Sequence, residues 1–157
     1  MKQPLYDEQR ERLLDAPCHV IDFLPRRVPR EAGRYYFPVE EYLAAPERIG
    51  ALYRRFARVV LCLSCYDGIA ADRSSGTGEE GSDWIVQPAP ETLVSLVEGC
   101  ADGGYLTLLF PDGDALLTLD GGDLYLTAYN LRGEFLDTVR QLAAAEGLFL
   151  REAWSPF

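Results

Sequence analysis

Three short apolar segments between residues 104 and 129 constrain the fold more than any other feature of the sequence. They are YLTLLF, ALLTL and DLYLTAY, and the sequences PDGD and DGGD separate them. Asp-Gly pairs favour tight turns because both residues tolerate positive φ angles. Threonine, tyrosine and phenylalanine are typical of strands. The pattern predicts an antiparallel meander of three strands over residues 104–129, with turns near 111–114 and 120–123.

The acidic turns also raise the alternative of a calcium site. An EF-hand loop needs oxygen ligands at its first, third and fifth positions, glycine at its sixth and a carboxylate at its twelfth. Counted from Asp112, the fifth and sixth positions are Leu116 and Leu117. The acidic residues are therefore expected to form turns, and no metal site is predicted.

Apolar periodicity predicts the other elements. Between residues 49 and 63, apolar side chains recur at steps of three and four, which predicts a long helix with one apolar face. The order of the elements predicts one domain, residues 1–157, of the α+β class, with a mainly antiparallel sheet and helices covering one face. Shorter helices are expected over 6–14, 89–102 and 133–147, and further strands over 18–24, 84–86 and 148–154.

Two segments are expected to lack regular structure. Residues 25–38 contain three prolines, and proline and the residue before it resist helix formation. Residues 67–83 are rich in glycine, serine and acidic side chains, which predicts a mobile loop. This loop contains GTGEEG, which lacks the Lys-Ser/Thr ending of a phosphate-binding loop. Nucleotide binding is not expected there.

The four cysteines are Cys18, Cys62, Cys65 and Cys100. In a reducing compartment they are expected to be buried thiols rather than disulfides. Cys62 and Cys65 form a CxxC sequence late in the long helical pattern, and a zinc site would need two further ligands. The chain has one histidine, His19. We therefore expect Cys62 and Cys65 to be reduced and packed in a helix, without zinc.

Charge is uneven along the chain. The net charge is −10; residues 1–60 carry 11 basic and 9 acidic side chains, and residues 61–157 carry 4 basic and 16 acidic ones. An acidic field disfavours nucleic acid and anionic membranes and attracts a basic protein surface. Acidity that serves only solubility is the alternative. No apolar run approaches a membrane span and no signal peptide is visible, so a cytoplasmic location is expected.

No sequence motif of catalysis is present. The chain lacks GxSxG, HExxH, Walker and dinucleotide-binding sequences. Cys18 and His19 are adjacent on a predicted strand and would point to opposite faces, so they cannot act as a nucleophile and its base. No catalytic, cofactor-binding or metal-binding residue is predicted, which favours a protein that is not an enzyme.

The segment from Trp84 to Trp154 resembles the layout of small immunity proteins of bacterial toxin systems. It has a tryptophan and prolines before a helix, a meander ending in DGGDLYLTAY, and then a helix and a strand. The resemblance implies a non-enzymatic interaction protein that neutralises a basic toxin domain. It covers the C-terminal half of the chain and defines no binding residue.

The meander supplies candidate residues for binding a partner. Alternation on the third strand places Leu124, Leu126 and Ala128 on one face, and Tyr125 and Tyr129 on the other. Tyrosine is common at protein interfaces. The predicted contacts are Tyr125 and Tyr129 as aromatic anchors, with the turn carboxylates Asp112, Asp114, Asp120 and Asp123 around them.

Alternatives remain open at this point. A second layer of the domain would cover the tyrosines instead of a partner. A small-molecule-binding or structural accessory domain would use a pocket between the sheet and the long helix. A hydrolase whose site assembles from scattered residues is the third alternative. The oligomeric state and the role of the arginine- and proline-rich segment 25–38 stay open.

Overall fold

The computed structural model describes residues 3–73 and 82–153 of the chain. Residues 74–81 of the predicted loop and Trp154 of the predicted last strand lie outside the described residues. The elements, in chain order, are α1 (Gln3–Leu13), β1 (Cys18–Asp22), α2 (Gly33–Leu43), α3 (Pro46–Leu63), β2 (Ala70–Asp72), β3 (Ile85–Val86), α4 (Pro90–Gly99), β4 (Tyr105–Phe110), β5 (Ala115–Asp120), β6 (Tyr125–Tyr129), α5 (Gly133–Ala145) and β7 (Phe149–Glu152), with 3-10 turns at Arg30–Ala32 and Cys100–Asp102.

Seven strands form one sheet in the order β3-β2-β4-β5-β6-β1-β7, and neighbouring strands are antiparallel. The meander is the centre of the sheet, where Leu108 pairs with Leu117 and Leu117 pairs with Ala128. Its turns fall at 111–114 and around 121–122. The predicted meander and the α+β class are confirmed.

One side of the sheet, here called the helix-covered face, is buried under α3, α4 and α5. Tyr53 and Phe56 of α3 are fully buried, and their rings pack edge to face with centroids 5.1 Å apart. They belong to the same apolar cluster as Leu108, Leu117 and Leu126 of the meander. Burial of each large apolar side chain contributes about 1.5–3 kcal/mol, so this face provides most of the stability. The predicted long helix is confirmed as α3.

The other side, here called the second face, has two different halves. Over β2, β4 and β5, Leu13 of α1 packs in one cluster with Leu109. Beside it, Arg10 pairs with Asp72 at 2.6 Å, and both side chains are buried. Over β6, β1 and β7 the surface is more open, and Tyr125 there is 40% exposed.

The segment 25–38 is more regular than predicted. Residues from Gly33 onward form α2, with Pro38 inside the helix. The prediction of an irregular connection is therefore wrong for residues 33–38. Proline has no N–H, so the hydrogen bond to the carbonyl four residues earlier is lost. Here that carbonyl belongs to Arg34, an exposed residue. A surface helix tolerates this loss better than a buried one, because water can bind the freed carbonyl.

The predicted loop 67–83 also contains regular structure. Residues Ala70–Asp72 form β2, which is buried and pairs with β4 and β3. The loop prediction is wrong for these three residues. Their order comes from pairing with a distant strand and from the ion pair of Asp72 with Arg10, neither of which is visible in the local sequence.

The cysteines differ from expectation in their burial. All four are free thiols, but Cys62 and Cys65 are exposed. Cys62 lies on α3 off its apolar face, and Cys65 follows the end of that helix. Their predicted packing is therefore wrong. Cys100 is buried, and burial raises the pKa of its thiol.

Candidate interaction surface and arginine cleft

The four candidate aspartates do not form one patch. Asp112 and Asp114 lie in the turn between β4 and β5, and Asp120 and Asp123 flank the turn between β5 and β6. Consecutive hairpin turns lie at opposite ends of the strand that they share. With its six residues, β5 separates the two pairs by roughly 20 Å.

Asp114 is bound within the molecule. Its carboxylate accepts a hydrogen bond from Gln9 Nε2 at 2.9 Å and pairs with the guanidinium groups of Arg12 and Arg132. The hydrogen bonds from Arg12 and Gln9 lower the pKa of Asp114. Tyr129 of the same end packs against the apolar cluster under α1. Both residues thus help to attach α1 to the sheet.

Asp112 is exposed at the same end of the sheet. The pKa of its neighbour Asp67 is raised by burial and by the charge of Asp112. Tyr66, beside Asp67 in sequence, is 70% exposed. This end therefore offers one exposed tyrosine next to acidic groups.

Asp120 and Asp123 are in a different situation. Asp120 is exposed, and neither carboxylate pairs with a cation among the residues that the structure describes. Tyr53 Oη fixes the turn by donating to the backbone carbonyl of Asp123 at 2.8 Å. Burial, together with the charges of Asp120 and Glu40, raises the pKa of Asp123. Tyr53 thus binds the backbone of the turn and leaves both carboxylates without a hydrogen bond from its hydroxyl.

Glu40 of α2 is close enough to this acidic turn for its charge to raise the pKa of Asp123. The pKa of Tyr36 is raised to about 12 by burial, by Glu40 and then by Asp22 and Tyr125. Tyr36 and Tyr125 also line one cleft, so this side of α2 lies near the end of β6 that follows the turn. The pKa of Tyr125 is itself raised, by burial and by Asp123.

The outer side of α2 carries an apolar stripe. Tyr35, Val39 and Tyr42 are 65%, 46% and 58% exposed, and their spacing of four and three residues places them on one side of the helix. Arg34 stacks 4.7 Å from the centroid of the Tyr35 ring, and Arg48 stacks 3.8 Å from that of Tyr42. Stacking orients each tyrosine before any partner arrives.

We call Tyr35, Val39, Tyr42, Asp120, Asp123 and Tyr125 the aromatic–acidic surface. Three of its members were predicted from the meander, and the α2 stripe was missed. The sequence feature that indicates the stripe is the apolar spacing in YYFPVEEYL, although Pro38 argues against a helix there. The structure brings Asp120, Asp123 and Tyr125 together and leaves Asp112, Asp114 and Tyr129 at the other end.

A second feature of this region is a cleft of about 320 Å³ between the segment 24–37 and strands β1, β6 and β7. We call it the arginine cleft, because Arg26, Arg27, Arg30 and Arg151 line it. On its floor, Arg151 donates to Asp22 Oδ2 at 2.8 Å. Segment 25–38 thus builds both the wall of this cleft and the start of α2.

The alternatives from the sequence can be placed on this structure. The interface between α3 and the sheet, where a ligand pocket was considered, is filled by fully buried side chains such as Phe56 and Val60. His19 pairs with Ala128 on the helix-covered face, whereas Cys18 lines a depression on the second face. Among the described residues, no three histidine, cysteine or acidic side chains are grouped as a metal site would require.

Known proteins add no assignment. Comparison with protein-family models, with curated proteins and with solved structures finds no match for this chain. Within the described residues, no helix combines the length and apolar character that crossing a membrane requires.

Proposed function

We propose that this chain is a non-enzymatic interaction protein that binds a basic protein domain through the aromatic–acidic surface. The observations that support the proposal are the exposed apolar stripe of α2 and, near Glu40 of the same helix, a turn whose carboxylates Asp120 and Asp123 have no cation partner among the described residues. Apolar stripes left open on a folded surface mark protein-binding sites more often than isolated exposed residues do. Tyrosine and arginine are the side chains most enriched at the energetic centres of interfaces.

Charge supports the nature of the partner. Residues 61–157 have a net balance of 4 basic against 16 acidic side chains, and the acidic turn adds local negative charge next to the tyrosines. Opposite charges at an interface speed association and reject wrong partners. A basic surface that offers apolar pockets for Tyr35 and Tyr42 fits these features best.

The specific form of the proposal is toxin neutralisation. A small acidic protein with a rigid sheet and a preformed binding surface suits the inhibition of a basic toxin domain, because a preorganised surface loses little entropy on binding. The resemblance of residues 84–154 to immunity proteins of bacterial toxin systems supports the same reading.

The test needs a basic protein domain as the partner, to be sought first among the products of the neighbouring genes. The partner domain is titrated into the wild-type chain and into the Y35A/Y42A variant. The variant should bind it roughly tenfold or more weakly, because two aromatic anchors are lost. The matched control is Y66A, since Tyr66 is equally exposed but lies at the other end of the sheet. Equal weakening by Y66A, unchanged binding by Y35A/Y42A, or no complex with the wild-type chain would contradict the proposal.

A further inference from the structure

The arginine cleft is a structural feature that the aromatic–acidic surface does not explain. It lies on the second face, where segment 24–37 passes over β1, β6 and β7, and its volume is about 320 Å³. Such a volume falls at the lower end of the range of about 300–1,000 Å³ that small-molecule sites occupy. Binding of a ligand in this cleft does not require that the aromatic–acidic surface binds a protein partner.

Positive charge is in excess in this cleft. Among the described residues that line it, Arg26, Arg30 and Arg151 stand against one carboxylate, Asp22, although the chain as a whole carries −10. Asp22 is already paired with Arg151 at 2.8 Å. Arg26 and Arg30 have no ion pair with any residue of the described ranges 3–73 and 82–153. Grouped guanidinium charges repel one another unless an anion lies between them.

The floor of the cleft is fixed and keeps an unused donor. Arg151 projects from β7, its side chain is 19% exposed, and Asp22 of β1 holds its guanidinium in place. The Nε of Arg151 is buried and has no acceptor among the described residues. A buried donor without an acceptor is rare in folded proteins. A bound water or ion that completes its hydrogen bonding is one explanation for such a donor.

Aromatic rings form the walls of the cleft. Tyr36, Phe37 and Tyr125 line it, and Phe37 is 63% exposed at its rim. The Phe37 ring lies close to Gly33, since a Cβ built on that glycine would be 3.3 Å from it. Aromatic and apolar walls with a few charged groups are the usual composition of a site for a small organic ligand.

We propose that the arginine cleft binds a small molecule in which an aromatic ring carries a carboxylate or phosphate group. Arg26 and Arg30 contact the oxyanion, because planar guanidinium groups match the geometry of carboxylate and phosphate oxygens. The ligand ring packs against Phe37 and Tyr36. A long polyanion does not fit this site, because the cleft is small and the remaining surface is acidic.

The experiment titrates the full-length, ¹⁵N-labelled chain with simple probes at constant ionic strength and follows backbone amide shifts. Phenyl phosphate and benzoate supply the ring with each oxyanion; methyl phosphate and acetate supply the oxyanion alone. Saturable shifts are expected at the amides of Arg26, Arg30, Tyr125 and Arg151. The ring-bearing probe that fits should bind at least about fivefold more tightly than its ring-free counterpart.

Paired variants separate the cleft from general charge attraction. R26A/R30A should weaken binding about tenfold or more, because two charge-assisted contacts are lost. R54A/R55A removes the same charge from the exposed side of α3, over the helix-covered face, and should leave binding unchanged. Both pairs alter exposed side chains, so amide shifts far from the substitutions report an intact fold.

Three results would overturn the proposal. The first is the lack of saturable shifts with both ring-bearing probes. The second is equal affinity for ring-bearing and ring-free probes, which would leave only nonspecific anion attraction. The third is equal weakening by R26A/R30A and R54A/R55A. Preference for phenyl phosphate or for benzoate would identify which oxyanion the arginines select.

Discussion

The two turns of the meander, PDGD at 111–114 and DGGD at 120–123, are alike in sequence and differ in their surroundings. At the first turn, Asp114 is held by Gln9, Arg12 and Arg132. At the second, burial and the charges of Asp120 and Glu40 raise the pKa of Asp123, and no cation among the described residues pairs with Asp120 or Asp123. Asp114 thus attaches a helix to the sheet, while Asp120 and Asp123 leave a negatively charged turn near Glu40 of α2.

This difference shows that an acidic turn acquires its role from what the rest of the chain brings to it. Two partners of Asp114, Gln9 and Arg12, come from α1, more than a hundred residues away in sequence. The second turn receives Tyr53, which bonds only to its backbone. Its side chains therefore remain available to a partner molecule.

The largest expected difference between the two turns is the loss of stability when a glycine of each turn is replaced by alanine. A Cβ at Gly121 would lie 2.3 Å from backbone atoms of Gly103, whereas a Cβ at Gly113 would meet the Phe135 ring at 3.1 Å. G121A should therefore lower the free energy of unfolding by about 3 kcal/mol and G113A by less than about 1 kcal/mol, since a ring can shift and packed backbone cannot. Urea denaturation of both variants measures this, and equal losses would contradict the close packing at the second turn.

Neutralising one aspartate in each turn should have opposite effects on stability. D114N removes charge from a carboxylate that accepts several hydrogen bonds and should lower the free energy of unfolding by about 1 kcal/mol. D123N relieves repulsion from Asp120 and Glu40 and should raise it by about 0.5 kcal/mol, a small gain because the group is partly solvated. Thermal and urea unfolding at neutral pH would test this, and losses in both variants would argue against the assigned surroundings.

The dependence of these differences on pH follows from the directions of the pKa shifts. The pKa of Asp114 is lowered in the folded state, so its stabilisation is present above the unfolded value of about 3.9 and is lost as pH falls through the folded pKa. The pKa of Asp123 is raised, so its penalty appears as pH rises from about 3.9 through the folded pKa. As the pH is lowered, the stability gain from D123N should therefore vanish at a higher pH than the stability loss from D114N. The check is the free energy of unfolding of each variant as a function of pH. A constant difference from wild type between neutral and acidic pH, in both variants, would contradict this prediction.

The sequence predicted the parts of the fold that depend on local chemistry. The three strands and the turns between them follow from apolar runs and Asp-Gly pairs, and α3 follows from its apolar periodicity. The first half of α2, residues 33–38, is not predicted because Pro38 argues against a helix, although an exposed helix can accommodate it. β2 was missed because AAD carries no strand signal of its own and becomes ordered through pairing with β4.

The candidate site could be predicted only in part. Alternation on β6 correctly placed Tyr125 on the second face and Leu126 in the core. Strand order and turn position decide which aspartates lie near that tyrosine, and this depends on tertiary packing. The exposure of Tyr35 and Tyr42 is likewise a consequence of how α2 packs, since its sequence alone does not show which side faces the sheet.

Association kinetics with a basic partner domain, sought among the products of the neighbouring genes, test the central claim most directly. D120K and D112K each reverse one exposed carboxylate, at the second and the first turn respectively. At low salt, D120K should slow association about threefold or more and D112K should change it little, with the difference shrinking as salt screens the charges. Equal slowing by the two variants, or a larger effect of D112K, would place the interface elsewhere and contradict the account.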